Sequence, residues 1–176
     1  SPPPAFASLD YFGFVAKPYL RELFPGYRLY LWLDADMWVQ DASFFEHLCD
    51  NALAGRFAVA SEADRDYRAP TLQLRAWMLN NYRRGYGLVE ALRLSFAPIV
   101  NNSLAAAHVD APHWAVWQRD YEQIVHRAQR LVAMDQLALQ RALFSNDLPV
   151  ALLPATDDWV CSRALPAWDR ASQLFV

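Results

Sequence analysis

The sequence has little of what would connect it to nucleic acid, to a membrane or to a zinc cluster. Lys17 is its only lysine, and no run of Lys and Arg interleaves with aromatic residues, which argues against nucleic-acid binding. Cys49 and Cys161 belong to no CxxC pair, so a zinc cluster is unsupported and free thiols in a reducing compartment are expected. No apolar run reaches the roughly 18 residues of a membrane span, and residues 1–4 do not resemble a signal peptide. We therefore expect a cytoplasmic protein with no nucleic-acid partner and no membrane span.

The composition is that of a packed globular domain. The chain has 176 residues and a net charge of −3, with 55% hydrophobic and 20% charged residues. This length is sufficient for one real core, and the high apolar content excludes a disordered chain. We expect residues 1–176 to form a single domain.

Apolar patterns along the chain alternate between two periods. Short, continuous apolar runs predict four buried strands, at residues 29–33, 57–60, 96–104 and 148–153. Spacings of three and four residues predict helices at 6–24, 44–53, 88–94 and 135–144, with two more beginning near 71 and 112. Ser43 and Glu46 have the spacing of a capping box for the second helix. The alternation of strands and helices predicts an α/β fold.

Two aspartates follow the first predicted strand directly. Asp34 and Asp36 are separated by one residue, and in extended backbone such side chains point to the same side. Carboxylate oxygens are the ligands that Mg²⁺ and Mn²⁺ prefer, often together with substrate phosphates. The pair therefore predicts a site for a divalent cation, although two solvated aspartates closing a strand would have the same sequence.

Several segments, in order, carry a family resemblance. The segment around the aspartates, residues 31–41, and the helix before it, residues 17–24, are followed by three further matching segments at 99–104, 134–140 and 153–161. Together they resemble family 8 and related glycosyltransferases of the GT-A fold. The resemblance implies a mixed, mostly parallel sheet flanked by helices. It also implies transfer of a glycosyl group from a nucleotide-diphosphate sugar, with a UDP-sugar as the expected donor, to a hydroxyl of a carbohydrate or other acceptor.

The same resemblance assigns roles to individual residues. Asp34 and Asp36 would bind Mn²⁺ or Mg²⁺ and the donor. Further side chains would approach the sugar or the reacting centre, with Asp135 and Gln136 as catalytic residues and Asn101, Asn102, Asp158 and Trp159 as substrate-binding residues. Which asparagine corresponds to the single one of the family stays open. Simpler interpretations also stay open, because Asp135 can cap its helix, the asparagines can be turn residues and Asp158 can be a loop acid.

Two departures from the family pattern leave other functions open. The chain begins too late to include the first βα segment, which grips the nucleotide base, so we expect a domain that is incomplete at its N-terminus. The family's C-terminal His-containing metal motif is also absent. One alternative is a non-catalytic binding or scaffolding domain of the same fold. Another is a phosphohydrolase with a DxD motif, but Trp38 lies where that class has a small residue, and Lys17 precedes the motif instead of following it.

Overall fold

A four-stranded mixed sheet with helices on both faces forms the centre of the computed structural model. The structure describes residues 16–37, 39, 41–62, 72–127, 133–154 and 168–175. Its strands are β1 (Leu29–Leu33), β2 (Phe57–Ser61), β3 (Val100–His108) and β4 (Val150–Leu153), and a separate hairpin pairs β5 (Trp168–Asp169) with β6 (Leu174–Phe175). Its helices are α1 (Leu20–Leu23), which follows a 3-10 turn at Lys17–Tyr19, α2 (Phe44–Leu53), α3 (Leu72–Tyr86), α4 (Leu88–Leu94), α5 (His113–Arg127) and α6 (Met134–Phe144).

The strands lie in the order β1-β3-β2-β4. β3 is antiparallel to both β1 and β2, and only β2 and β4 pair in parallel. The α/β class and the mixed sheet are therefore confirmed, but the expectation of a mostly parallel sheet is wrong for the described strands. A continuous apolar run indicates that a strand is buried on both faces. Antiparallel strands can be buried in this way as well as parallel ones, so the apolar run could not reveal the direction of β3.

Each face of the sheet packs against its own layer of helices. Side chains alternate along β3, so that Ala105 and Ala107 face α3, α5 and α6, whereas Leu104 and Ala106 face α2. The alanines of β3 leave room for large rings, and the buried Trp117 of α5 packs with them in the larger core. The sheet is thus covered on both faces, so polar side chains that could contact a ligand are expected at the ends of its strands.

The predicted elements agree with the structure except in their ends and caps. β1, α2 and α4 have the predicted bounds, whereas β3 begins at Val100 instead of 96. The capping box is wrong, since the Ser43 side chain makes no cap hydrogen bond and its backbone N–H donates instead to Asp41 Oδ1 at 2.9 Å. Of the predicted helix at 6–24, only the part from 16 onward lies among the described residues. None of the helices in the described ranges combines the length and apolar character needed to cross a membrane.

Candidate functional site

Polar side chains from separate segments meet at one edge of the sheet. Because β3 runs antiparallel to β1 and β2, its first residues lie beside the last residues of both neighbours. The backbone N–H of Asp34 donates to the carbonyl of Ser103 at 2.9 Å, and that of Glu62 donates to the carbonyl of Ile99 at 2.8 Å. The residues that follow β1 and β2 are therefore fixed next to the start of β3. They lie at the carboxyl ends of β1 and β2, and carboxyl ends of strands are where open α/β sheets place their ligands.

Four side chains form a hydrogen-bonded group at this edge, which we call the Lys17 cluster: Lys17, Asp34, Asn102 and Asp135. The Lys17 Nζ lies 2.8 Å from Asp34 Oδ1, 3.5 Å from Asp135 Oδ2 and 3.4 Å from Asn102 Oδ1. The Asn102 Nδ2 donates to Asp135 Oδ2 at 2.7 Å. Lys17, Asn102 and Asp135 are buried, whereas the Asp34 side chain is 30% exposed. Three residues predicted from separate segments are thus brought together by a fourth that was not predicted.

The 3-10 turn that carries Lys17 is anchored on helix α5. The carbonyl of Pro18 accepts a hydrogen bond from Gln118 Nε2 at 2.9 Å, and the Tyr19 hydroxyl donates to Glu122 Oε1 at 2.9 Å. The ammonium of Lys17 lies 5.3 Å from the centroid of the Trp32 ring, within the range of a cation–π contact. These contacts hold the long, flexible side chain of Lys17 next to Asp34 and Asp135.

Asp135 lies in the first turn of α6, but it is not the capping residue. The capping position belongs to Ala133, whose backbone is left-handed at φ 58°, a conformation that costs a residue with a Cβ about 1–2 kcal/mol. Trp117 Nε1 donates to the backbone carbonyl of Asp135 at 3.0 Å and fixes the start of the helix against α5. Burial raises the pKa of the Asp135 carboxyl, and the nearby Lys17 ammonium and the Asn102 amide oppose that rise.

The two adjacent asparagines of β3 differ in their surroundings. The Asn102 side chain is buried in the Lys17 cluster, with its amide between Lys17 and Asp135. The Asn101 side chain instead accepts a hydrogen bond at Oδ1 from the backbone N–H of Ser103, at 3.1 Å. Asn102 is therefore the asparagine that the structure brings to the other predicted residues, and Asn101 makes a local turn-like contact.

Gln136 connects the start of α6 to the ends of β2 and β3. Its Nε2 donates to Glu62 Oε2 at 2.6 Å and to the carbonyl of Val100 at 2.8 Å. Burial raises the pKa of the Glu62 carboxyl, and the hydrogen bond from Gln136 opposes this. A partly buried acid beside Gln136 extends the candidate site beyond the Lys17 cluster.

The aspartates of the motif lie in a turn. β1 ends at Leu33, and the backbone N–H of Met37 donates to the carbonyl of Asp34 at 3.2 Å, so the extended backbone assumed for this pair is wrong. Asp36 is exposed, whereas both carboxylate oxygens of Asp34 lie near Lys17 Nζ, at 2.8 and 3.2 Å. Within the described ranges, no group of three or more acidic, His or Cys side chains is placed to hold a metal ion. Carboxylates such as those of Asp34 and Asp36 have the donor chemistry that Mn²⁺ or Mg²⁺ prefers, but a cation held here would need further ligands beside these two.

Two residues of this edge escaped the sequence reasoning, and two predicted residues cannot be compared. Lys17 had one available signal, since it is the single lysine among 16 lysine and arginine residues. Glu62 had the signal that identified Asp34, namely an acid directly after a buried strand. Asp158 and Trp159 lie outside the described residues.

Comparison with known proteins supplies no relative for this chain. A scan against protein-family models, a search of curated proteins and a search of solved structures each found no match. A functional assignment therefore depends on the chain's own residues.

Proposed function

We propose that this chain is the DxD-bearing part of an enzyme that transfers a glycosyl group from a nucleotide-diphosphate sugar to an acceptor hydroxyl. One observation carries the proposal: Asp34, Asn102 and Asp135, which come from three distant segments, lie in a single hydrogen-bonded cluster at a sheet edge. Polar groups of this kind, partly buried and convergent, are what a ligand site in an α/β protein needs. A UDP-sugar is the expected donor, and a carbohydrate or other hydroxyl compound is the expected acceptor.

The proposed roles follow from exposure and hydrogen-bonding capacity. Asp34 and Asp36 would hold Mn²⁺ or Mg²⁺, which supplies positive charge to the departing diphosphate. The Asn102 amide can donate and accept hydrogen bonds, and the Asp135 carboxylate can accept them from sugar hydroxyls. Lys17 acts as a positioning residue, because its ammonium contacts both Asp34 and Asp135 and fixes the distance between them.

Glu62 and Gln136 are the groups best suited to act near an acceptor. Burial raises the pKa of Glu62, which brings a carboxyl closer to the range in which it can exchange a proton near neutral pH. Gln136 holds this carboxyl at 2.6 Å and is also the residue next to Asp135. The pair would orient a hydroxyl group beside the donor sugar.

A binding or scaffolding domain is the second candidate, and it also has an observation in its favour. Lys17 already neutralises part of the negative charge of Asp34 and Asp135, so the cluster needs no ligand as a counter-ion and fits a purely structural group. A structural cluster of this kind and a donor site differ in one measurable property, which is metal-dependent binding of the nucleotide.

Calorimetric titration of UDP and UDP-sugars, with and without Mn²⁺, separates the two candidates. We expect binding that requires Mn²⁺ and weakens by at least about tenfold in Asp36→Asn, since a ligand to the cation is lost. Asp50→Asn, an exposed acid on α2 away from the edge, removes the same charge and is expected to bind like the unmodified chain. A folded chain that binds no UDP compound in the presence of Mn²⁺ would contradict the proposal and favour the scaffolding domain. Phosphate release from a generic phosphomonoester would favour the phosphohydrolase instead.

A further inference from the structure

Helix α4 leaves an apolar face in contact with solvent. Leu88, Val89 and Leu92 fall within an arc of about 100° on the helix, opposite the buried Leu94, and Phe96 lies just past the helix end. Val89 is 84% exposed and Phe96 is 90% exposed, so both rank among the most exposed large apolar residues of the described chain. We call these four exposed residues the α4 face. An exposed apolar patch with a polar rim is typical of a surface that binds a protein or a membrane.

Arginines border the α4 face. Arg93 follows Leu92 on the exposed side of the helix. Arg75, from the first part of α3, donates to the carbonyl of Ser95 at 3.3 Å and therefore lies beside the end of α4. One turn before Arg75, Leu72 adds another apolar side chain that is 87% exposed. The apolar surface and its cations thus belong to the same pair of helices.

The charge of this region is opposite to that of the whole chain. Residues 72–96 contain four arginines and one glutamate, a net charge of +3, whereas the full sequence has a net charge of −3. The single acid, Glu90, is half-buried and lies 3.6 Å from Arg141 Nε. The exposed surface of α3 and α4 therefore presents arginines and apolar side chains without an exposed acid among residues 72–96.

We propose that the α4 face docks on the surface of an anionic lipid membrane. Helices that lie in a membrane interface bury an apolar face at the boundary between headgroups and acyl chains, and basic residues at its border contact anionic headgroups. Arg75 and Arg93 have this arrangement relative to Val89 and Phe96. A second copy of the chain fits less well, because a two-fold symmetric contact would bring two surfaces of the same positive charge together. This inference is independent of the proposed glycosyl transfer.

Sedimentation of the full chain with lipid vesicles tests the proposal. We expect binding to vesicles that contain phosphatidylglycerol, about tenfold weaker binding to pure phosphatidylcholine, and a marked loss at high salt. Replacing Val89 and Phe96 together by Ser, or Arg93→Glu alone, should each weaken binding by about tenfold, without unfolding because these side chains are exposed. Leu53→Ser and Arg56→Glu are matched controls, since both residues are exposed on or just after α2. Both controls should bind like the unmodified chain.

Three results would overturn this inference. The first is a folded chain that binds anionic and neutral vesicles equally, or neither of them. The second is a loss in Arg56→Glu as large as that in Arg93→Glu, because binding would then depend on net charge and not on the α4 face. The third is a dimer in solution that becomes a monomer when Val89 and Phe96 are replaced, since a second copy would then cover the face. Circular dichroism of each variant establishes that it is folded.

Discussion

Replacing Lys17 by Met should destabilise this protein far more than the replacement of an exposed lysine typically does, because Lys17 is the cation of a buried cluster. Its Nζ lies 3.5 Å from the buried Oδ2 of Asp135, where the Coulomb attraction at an effective dielectric constant of about 20 is roughly 5 kcal/mol. Desolvation of the ammonium offsets part of this attraction in the native protein. Removal of one partner from a buried pair typically costs about 3–5 kcal/mol, since the remaining charge is left uncompensated. We expect Lys17→Met to lose about that much free energy of unfolding near neutral pH.

The loss should depend on pH, and its sign follows from Asp135. Burial already raises the pKa of this carboxyl, while Lys17 opposes the rise, so the variant should raise it further. A carboxyl whose folded pKa exceeds its unfolded value favours folding while it is protonated, and that contribution is lost as the pH rises through the folded pKa. The difference in stability between Lys17→Met and the unmodified chain should therefore be smallest near pH 4 and largest near pH 8.

Urea unfolding followed by tryptophan fluorescence measures these differences at each pH. Arg21→Met is the matched control, because Arg21 is on the adjoining helix α1 and its ion pair with Glu22 lies at the surface, which is worth less than about 1 kcal/mol. A second control adds Asp135→Asn to Lys17→Met, which removes the uncompensated charge and should recover at least about 1 kcal/mol at pH 8. If Lys17→Met costs no more than Arg21→Met and its cost does not change with pH, Lys17 is not the counter-ion of a buried carboxylate.

Two further predictions concern the packing of α3 and the acid at the end of β2. A Cβ at Gly85 would lie 2.7 Å from Ile124 Cγ1, so Gly85→Ala should lower the free energy of unfolding in urea by about 1–3 kcal/mol. Ile124→Ala should relieve part of this cost. Gly87→Ala is the control, because its cost arises from the backbone angle φ +95° in open space and should not depend on Ile124. Additive costs for Gly85→Ala and Ile124→Ala would contradict the close approach. Gln136→Leu should raise the pKa of Glu62 further, because the hydrogen bond that lowers it is lost. The stability of the variant should then fall more steeply as the pH rises above the ordinary pKa range of a glutamate. Carboxyl NMR titration measures the shift, and an unchanged pKa of Glu62 would refute the contact.

Local sequence patterns were sufficient for most elements of the fold because their ends have local causes. β1 consists of five consecutive apolar residues that follow the turn at Pro25 and Gly26 and precede two aspartates, so the local sequence was sufficient to predict its bounds. The predicted bounds of β3 were displaced toward the N-terminus because Phe96 has the apolar, aromatic character of a strand residue, although it is exposed. The alanines of the observed strand have low strand propensity. Those alanines are favoured by close packing of helices on both faces, which depends on the tertiary structure.

The candidate site was predictable one residue at a time, but not as a group. Asp34 was identified by its position after a predicted strand and Asp135 by the family resemblance, and their meeting required the antiparallel direction of β3, which apolar patterns do not encode. Lys17 was missed because it lies in an apolar segment whose neighbours all point to packing. Its burial is tolerated only because Asp34 and Asp135 lie within 3.5 Å, a fact that no local pattern contains.

The charge balance of the Lys17 cluster and the neighbouring Asp36 explains why Asp36, and not Asp34, is the better probe of the proposed cation site. Asp34, Asp36 and Asp135 together with Lys17 have a formal charge of −2, which one divalent cation would neutralise. Lys17 is buried and holds Asp34, whereas Asp36 is exposed at the turn and can reach a cation from solvent. Asp34→Asn would therefore weaken a buried ion pair and any metal site at the same time. Asp36→Asn alters only an exposed carboxylate, so a loss of Mn²⁺-dependent binding with unchanged unfolding would be attributable to the proposed cation site alone.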